Sequence, residues 1–284
     1  MDAFIPEIWS QEILYRLENA QHAHAFTNRN WEGEIRQGGD VVHIGTPNKV
    51  EIGKYSKNTD MASQTITATN TDLVCSESDY FNVQVDRLDQ LVANRDLLPV
   101  GVDDGVIGLA QAQDAYIFSM ANSVLPGNVV GSTTITPDNI YDYFTEASAI
   151  LDDANLPDEG RAAALTPLEL MMIRRSKDFK EAGTREGALS GFVGTYGGFN
   201  IYRSGNLVKD AEGDPGINSG DPLYNHCVFG HPMIYTFAMR VTEIEIYKPE
   251  KRFGSGAKAL AVYGGKLTRP AGLAVLKSQY GVAA

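Results

Sequence analysis

A chain of 284 residues that is 43% apolar and 9% aromatic has material for one large or two modest folded bodies, which excludes global disorder. Its 24 basic against 36 acidic residues leave a net charge of −12, which excludes a protein built to grip phosphate backbones through Lys and Arg, though not one that merely surrounds nucleic acid. Cys75 and Cys227 lie far apart without metal-ligand spacing and read as two free thiols in a reducing compartment, and no window reaches the ~18 apolar residues of a membrane helix.

No charged, apolar leader opens the sequence, so the protein is expected to be soluble where it is made. After Phe4-Ile-Pro6, the spacing of Ile8, Trp9, Ile13 and Leu17 predicts a short helix over about residues 7–19. Residues 20–30 are polar and read as an extended arm with His22 and His24 on the surface.

The next stretch is the most informative. Residues 40–46 and 79–86 read as strands, and between them residues 46–72 carry only 7 apolar side chains in 27 (Val50, Ile52, Tyr55, Met61, Ala62, Ile66, Ala68), too few to fold alone. This is the pattern of a long β-hairpin projecting from a body, with Asn58 and Asp60 near its tip. An isolated two-stranded hairpin is marginal in water, so such an arm is either mobile or laid on another molecule. The second option points to an assembly protein.

From Gly101 the period changes. Val102, Val106, Leu109 or Ala110, Tyr116 or Ile117, and Met120 recur at helical spacing, Asp103 and Asp104 suit a helix N-terminus, and Pro126-Gly127 ends the run. A helix over about 103–124 would be roughly 30 Å long at 1.5 Å per residue. Thr136-Pro137 and Thr166-Pro167 each announce a helix, a capping hydroxyl before a proline in the first turn. Ile140, Phe144, Ala147 and Leu151 stripe the first; Leu168, Met171 and Met172 begin the second, which gathers Arg174, Arg175, Lys177 and Lys180 and is expected to stop near Gly183. Arg161 to Leu165 reads as a short buried strand, Gly197-Gly198 as a turn into the strand Phe199 to Arg203, and residues 210–216 as a turn-rich surface excursion. Further strands are expected over residues 226–239, 240–247, 257–263 and 273–276. Elements near residues 85 and 245 are expected to share a sheet beside the long helix, giving an α+β fold.

Groups able to do chemistry are scattered. Gly264-Gly265-Lys266 is followed by Leu267 and lacks the upstream glycine of a phosphate-cradling loop. Glu243 and Glu245 share a strand face at roughly 6.6 Å, a separation open to acid–base work but equally that of a solvated strand face. Cys227 beside His226 suggests a thiol nucleophile, yet neighbours on a strand point to opposite faces. His22-Ala-His24 lacks the third and fourth ligands of a metal site, and Asp152-Asp153 reads as solvated charge. No catalytic residue, cofactor or metal is expected.

The last third is more telling. The runs His226-Cys-Val-Phe-Gly-His231, Val241-Thr-Glu-Ile-Glu-Ile-Tyr-Lys-Pro-Glu-Lys-Arg-Phe-Gly254 and Ala261-Val-Tyr-Gly-Gly-Lys-Leu-Thr-Arg-Pro270 resemble the major capsid proteins of tailed bacteriophages, with the HK97-like coat fold. Phe4 to Trp9, Gly33 to Val42 and Gly198 to Leu207 agree, in the same order along nearly the whole chain. The resemblance implies an N-terminal arm (1–30), an extended loop (31–77), a peripheral domain (78–129 and 236–284) holding a spine helix over about 103–124, and an inserted axial domain (130–235). It implies hexamers and pentamers closing an icosahedral shell around double-stranded DNA, without sequence-specific binding and without a membrane. Assembly in the host cytoplasm, a separate scaffolding protein, a portal and a decoration protein belong to the same expectation.

Laid on a neighbour, the loop would supply inter-subunit contacts: Lys49, Lys54, Tyr55 and Lys57 on the arm, and Arg252 and Phe253 on the body. Some relatives weld subunits through a lysine and a C-terminal asparagine; no asparagine follows Asn225, so no such crosslink is expected. The alternatives are an encapsulin-like compartment enclosing protein cargo and, more distantly, a small-molecule enzyme using Glu243, Glu245 and Cys227.

Overall fold

The computed structural model describes residues 23–30, 41–47, 52–55, 57, 60, 63–65, 68–86, 98–176, 192–210, 221–249 and 253–282. The expected helix over 7–19 lies outside these residues, as do Lys177, Lys180 and Gly183; the Thr166-Pro167 helix ends at Arg175, well short of Gly183, because Ser176 leaves the helical region at φ −59° and ψ 146°. Among the described residues eleven strands form three sheets: a two-stranded arm (β1 Val41–Pro47, β2 Ala68–Val74), a three-stranded sheet ordered β3-β10-β9, and a six-stranded sheet ordered β4-β11-β8-β5-β7-β6.

The three-stranded sheet joins β3 (Glu77–Asp86) and β9 (Tyr235–Tyr247) to the central β10 (Gly254–Leu267), antiparallel throughout. Residues near 85 and 245 thus share one sheet, as expected. Across it lies helix α1, Leu98–Phe118, continued by a 3-10 turn over Ser119–Ser123. The helix buries the anticipated face, Val102, Val106, Leu109, Ala110 and Ile117, but starts five residues before Asp103. Pro99 explains the earlier start, because a proline costs nothing in a first turn whose amide has no partner. Gly101 and Gly105 set how close helix and sheet come: a Cβ at Gly101 would meet Val83 Cγ1 at 2.5 Å, and one at Gly105 the Phe81 ring at 2.7 Å.

The six-stranded sheet is mixed. β11 (Ala274–Val282) runs parallel to β4 (Val129–Thr133), β5 (Ala162–Leu165) runs parallel to β7 (Phe199–Arg203), and the other pairs are antiparallel. Helix α2, Ile140–Asp153, seats Phe144 among Tyr196, Phe199 and Phe229 at ring-centroid distances of 5.0, 5.9 and 5.0 Å, all edge-on. Edge-to-face packing suits the ring quadrupoles and gives this lobe an aromatic centre. β5 is buried at every position, and Gly197 and Gly198, at φ +56° and +84°, form the two-residue turn between β6 (Phe192–Tyr196) and β7.

Four expectations need correction. The arm's return strand is β2, while residues 79–86 belong to β3 in the three-stranded sheet. The run 226–239 is two strands: β8 (Pro222–Gly230) and β9 are parted by a turn at Pro232–Ile234, because proline gives no amide to a ladder, and they enter different sheets. The final strand, expected with the rest of 236–284 in the peripheral domain, instead lies between β4 and β8 in the six-stranded sheet. Finally, α2 begins at Ile140 rather than Pro137: Asn139 precedes it, and its Oδ1 accepts from the Thr136 amide at 2.7 Å.

Residues 23–30 are no surface arm. Ala23 and Phe26 are fully buried, the Ala23 amide donates to buried Asp114 Oδ1 at 3.1 Å, and the Phe26 ring sits 5.7 Å from Phe118 and 6.1 Å from Tyr202. Asn28 exchanges main-chain bonds with the start of β9, donating to Tyr235 O at 2.8 Å and accepting from the Phe237 amide at 3.1 Å. Phe118 ends α1 and Tyr202 lies on β7, so this segment ties the two larger sheets together.

Candidate assembly surface

The arm stands on the three-stranded sheet by its root. Ile44 and Leu73, near the base of β1 and β2, form a small apolar cluster with Cys75, Ala238 and Val262, separate from the main core. Lys266 Nζ donates to Asp72 O at 3.0 Å beside it. Towards the tip the picture reverses. Ile52 is 98% exposed and Tyr55 74%, and Lys54 and Lys57 are exposed as well. Phe253, before β10, is 84% exposed. Lys49 and Arg252 lie outside the described residues.

The exposed Ile52, Tyr55 and Phe253 are apolar surface that no described residue covers. Part of the sheet face is open too: Tyr80, Asn82, Lys258, Ala259 and Leu260 line a hollow of about 280 Å³, and Tyr80 is 75% exposed. Its polar edge is ordered. Lys258 Nζ lies 2.6 Å from Glu245 Oε2 and 5.7 Å from the Tyr247 ring centre, while the Tyr247 hydroxyl donates to Asn82 Oδ1 at 2.7 Å. A preformed face of this kind carries little ordering cost for binding.

The groups considered for catalysis do not converge. Glu245 is engaged by Lys258 across the β9–β10 ladder, and the side chain of Glu243 lies outside the described set. Cys227 is fully buried; burial, and then Glu169, push its thiol well above the usual range, the opposite of what a nucleophile needs. Glu169 is itself buried in a closed polar cluster, accepting from Asn225 Nδ2 at 3.1 Å and from the Thr166 hydroxyl. Thr166 thus precedes helix α3, Pro167–Arg175, as the sequence suggests, but spends its hydroxyl on Glu169.

His226 bonds Asp210 instead of serving the neighbouring thiol, Nε2 to Oδ1 at 3.0 Å. Burial lowers its proton affinity, with Asp210 working against that shift and Lys277 adding to it. Asp152 is no idle charge, since buried Arg161 reaches it at 2.6 Å as well as Asp158 at 2.8 Å. Among the described residues no three His, Cys, Asp or Glu side chains gather as a metal site, and no helix is long and apolar enough to cross a membrane.

Sequence reasoning missed the hollow. Tyr80, Asn82 and Lys258 are on two strands about 180 residues apart, and only their pairing, Lys258 opposite Asn82, brings them together. The exposed Tyr55 and Phe253 were legible as unplaced aromatics in polar surroundings.

No protein-family model and no curated protein matches the chain. Solved structures do. A protein of Mycobacterium phage Che8 is 25% identical at a TM-score of 0.68, covering 90% of this chain and 91% of that one. The capsid structure of the cyanophage P-SCSP1u is 15% identical at 0.66, over 90% and 87% of the two chains. A virus-like particle from Pyrococcus furiosus is 11% identical at 0.54, over 93% and 95%. With its arm, its long helix on a three-stranded sheet and its mixed second lobe, the chain has the HK97-like coat fold found in the capsids of tailed phages.

Proposed function

We propose that this chain is a major capsid protein, a structural and non-enzymatic subunit that assembles into the hexamers and pentamers of an icosahedral head enclosing double-stranded DNA. The observation that carries the reading is an arm anchored at its root and uncovered at its tip, on a chain whose fold neighbours are phage capsids. Residues 31–77 act as the extended loop, 78–128 and 235–267 as the peripheral domain, and 129–230 together with the last strand, 274–282, as the axial domain. The tip, through Lys49, Lys54, Tyr55 and Lys57, lies on the peripheral domain of the next copy, where the hollow at Tyr80 and Leu260 and the exposed Phe253 offer apolar cover.

Each contact is modest at ~25 cal/mol per Å² of apolar surface buried. A closed ring repeats it around every axis, and multivalency makes the shell stable where one interface would not be. The negative charge suits a wall that holds a genome without sticking to it. A scaffolding protein, portal and decoration protein are the expected companions, and the host cytoplasm the place of assembly.

The test is negative-stain imaging of the purified protein, alone and co-expressed with the products of neighbouring genes. Uniform closed shells are expected; a monomer that never closes under either condition overturns the reading. The Pyrococcus furiosus virus-like particle among the fold neighbours favours one second reading, a compartment enclosing protein. Nuclease-protected DNA inside the particles decides for the head, and co-purifying protein cargo for the compartment.

A further inference from the structure

We propose that Gly264 is the fulcrum of the arm, the point where β2 crosses β10 so closely that only a residue without a Cβ fits, so that the direction in which the arm leaves the body is set there. A Cβ at Gly264 would stand 2.8 Å from Cys75 Cα and 3.0 Å from the Val74 carbonyl carbon, and closer still to the Val74 carbonyl oxygen. All three are main-chain atoms, so no rotamer change relieves the clash. Carbon atoms in comfortable contact sit about 3.5–4.0 Å apart, so even one methyl group displaces the crossing chain by roughly 1 Å. Gly264 is not among the residues with positive φ, so space, not backbone angle, demands glycine.

The neighbours hold the crossing from several sides. Next in the chain, the Gly265 amide donates to the Tyr116 hydroxyl of α1 at 3.3 Å, which fixes β10 to the helix beneath it. Lys266 reaches over to Asp72 O at 3.0 Å, and Ile44, Leu73 and Cys75 close on Ala238 and Val262. Beyond the crossing β1 and β2 run seven residues each, roughly 20 Å at 3.3 Å per residue, so a small shift at the root becomes a larger swing further out. The inference rests on the arm being the contact to a neighbouring copy, but it can be tested without assembly.

Spin labels at Lys54→Cys and Glu146→Cys, both exposed in the full chain, report the arm's direction in dilute subunits, and native Cys75 and Cys227 are buried and stay unlabelled. Gly264→Ala is expected to shift or broaden the label-to-label distance distribution and to lower the shell yield about tenfold through the repeated contact. Gly108→Ala, where a Cβ meets open space, is expected to leave both unchanged. Lys266→Met removes the clasp without adding bulk and is expected to broaden the distribution to a lesser degree. An unaltered distribution in Gly264→Ala overturns the inference; if that variant does not fold, an unaltered distribution in Lys266→Met does so. If the unsubstituted chain forms no shells while the distances respond, the fulcrum stands and the capsid reading falls.

Discussion

Residues 23–30 and the described residues between 52 and 65 are both polar stretches without regular strand or α-helix, and they have opposite fates. The first is fastened into the middle of the molecule through Ala23, Phe26 and Asn28. The second is exposed at every described position, although it carries Ile52 and Tyr55. Apolar content does not separate them. What does is whether a complementary surface exists among the described residues: Phe26 finds Phe118 and Tyr202, and Asn28 finds the Tyr235 carbonyl and the Phe237 amide of β9, whereas no described residue covers Ile52 and Tyr55. The comparison teaches that 23–30 acts in folding, while the described residues of the arm's outer part contribute no burial to it.

Substitutions in the two regions should therefore move different observables. Phe26→Ala removes a fully buried ring between the two larger sheets and is expected to cost about 3–5 kcal/mol in chemical denaturation of dilute subunits. A loss below 1 kcal/mol would mean the segment is not a clasp. Asp114→Ala strips the buried acceptor from the Ala23 amide and is expected to cost about 1–3 kcal/mol in the same experiment.

A pH titration sharpens the interior side further. The folded state holds the proton affinity of His226 below its ordinary value near 6.5, so below that pH the unfolded chain binds more protons than the folded one. Its contribution is present above about pH 6.5 and is lost as the pH falls through the lower folded value; His226→Gln is expected to flatten that part of the stability–pH curve. Smallest of all is the effect on folding of reversing Lys49, Lys54 and Lys57 to Glu, expected within about 0.5 kcal/mol, whereas shell yield and its resistance to salt should fall. Full assembly by the triple variant at every salt concentration would break the division between the two regions.

Local patterns were legible where one element decides its own state. The buried stripe of α1, the four buried residues of β5 and the Gly197-Gly198 turn follow from period and turn chemistry alone. Boundaries and partners were less so. The division of 226–239 at Pro232 turns on which sheet each half joins, and the hairpin's return strand could be placed only once Val41 was seen opposite Val74 and Ser78 opposite Val262. Of the assembly surface, the unplaced Tyr55 and Phe253 were readable, while the hollow at Asn82 and Lys258 was not, since strand register is a property of the paired sheet.

By itself the sequence determined that the chain makes an α+β body with a polar hairpin poor in apolar side chains, because composition and periodicity measure how much apolar surface each segment has to hide. Only the tertiary structure decided that residues 23–30 go inside, that the last strand completes the six-stranded sheet, and that a glycine at the crossing of β2 and β10 sets the arm. These depend on close contacts between residues far apart in the chain, and a local pattern carries no record of which distant surface will be there to meet it.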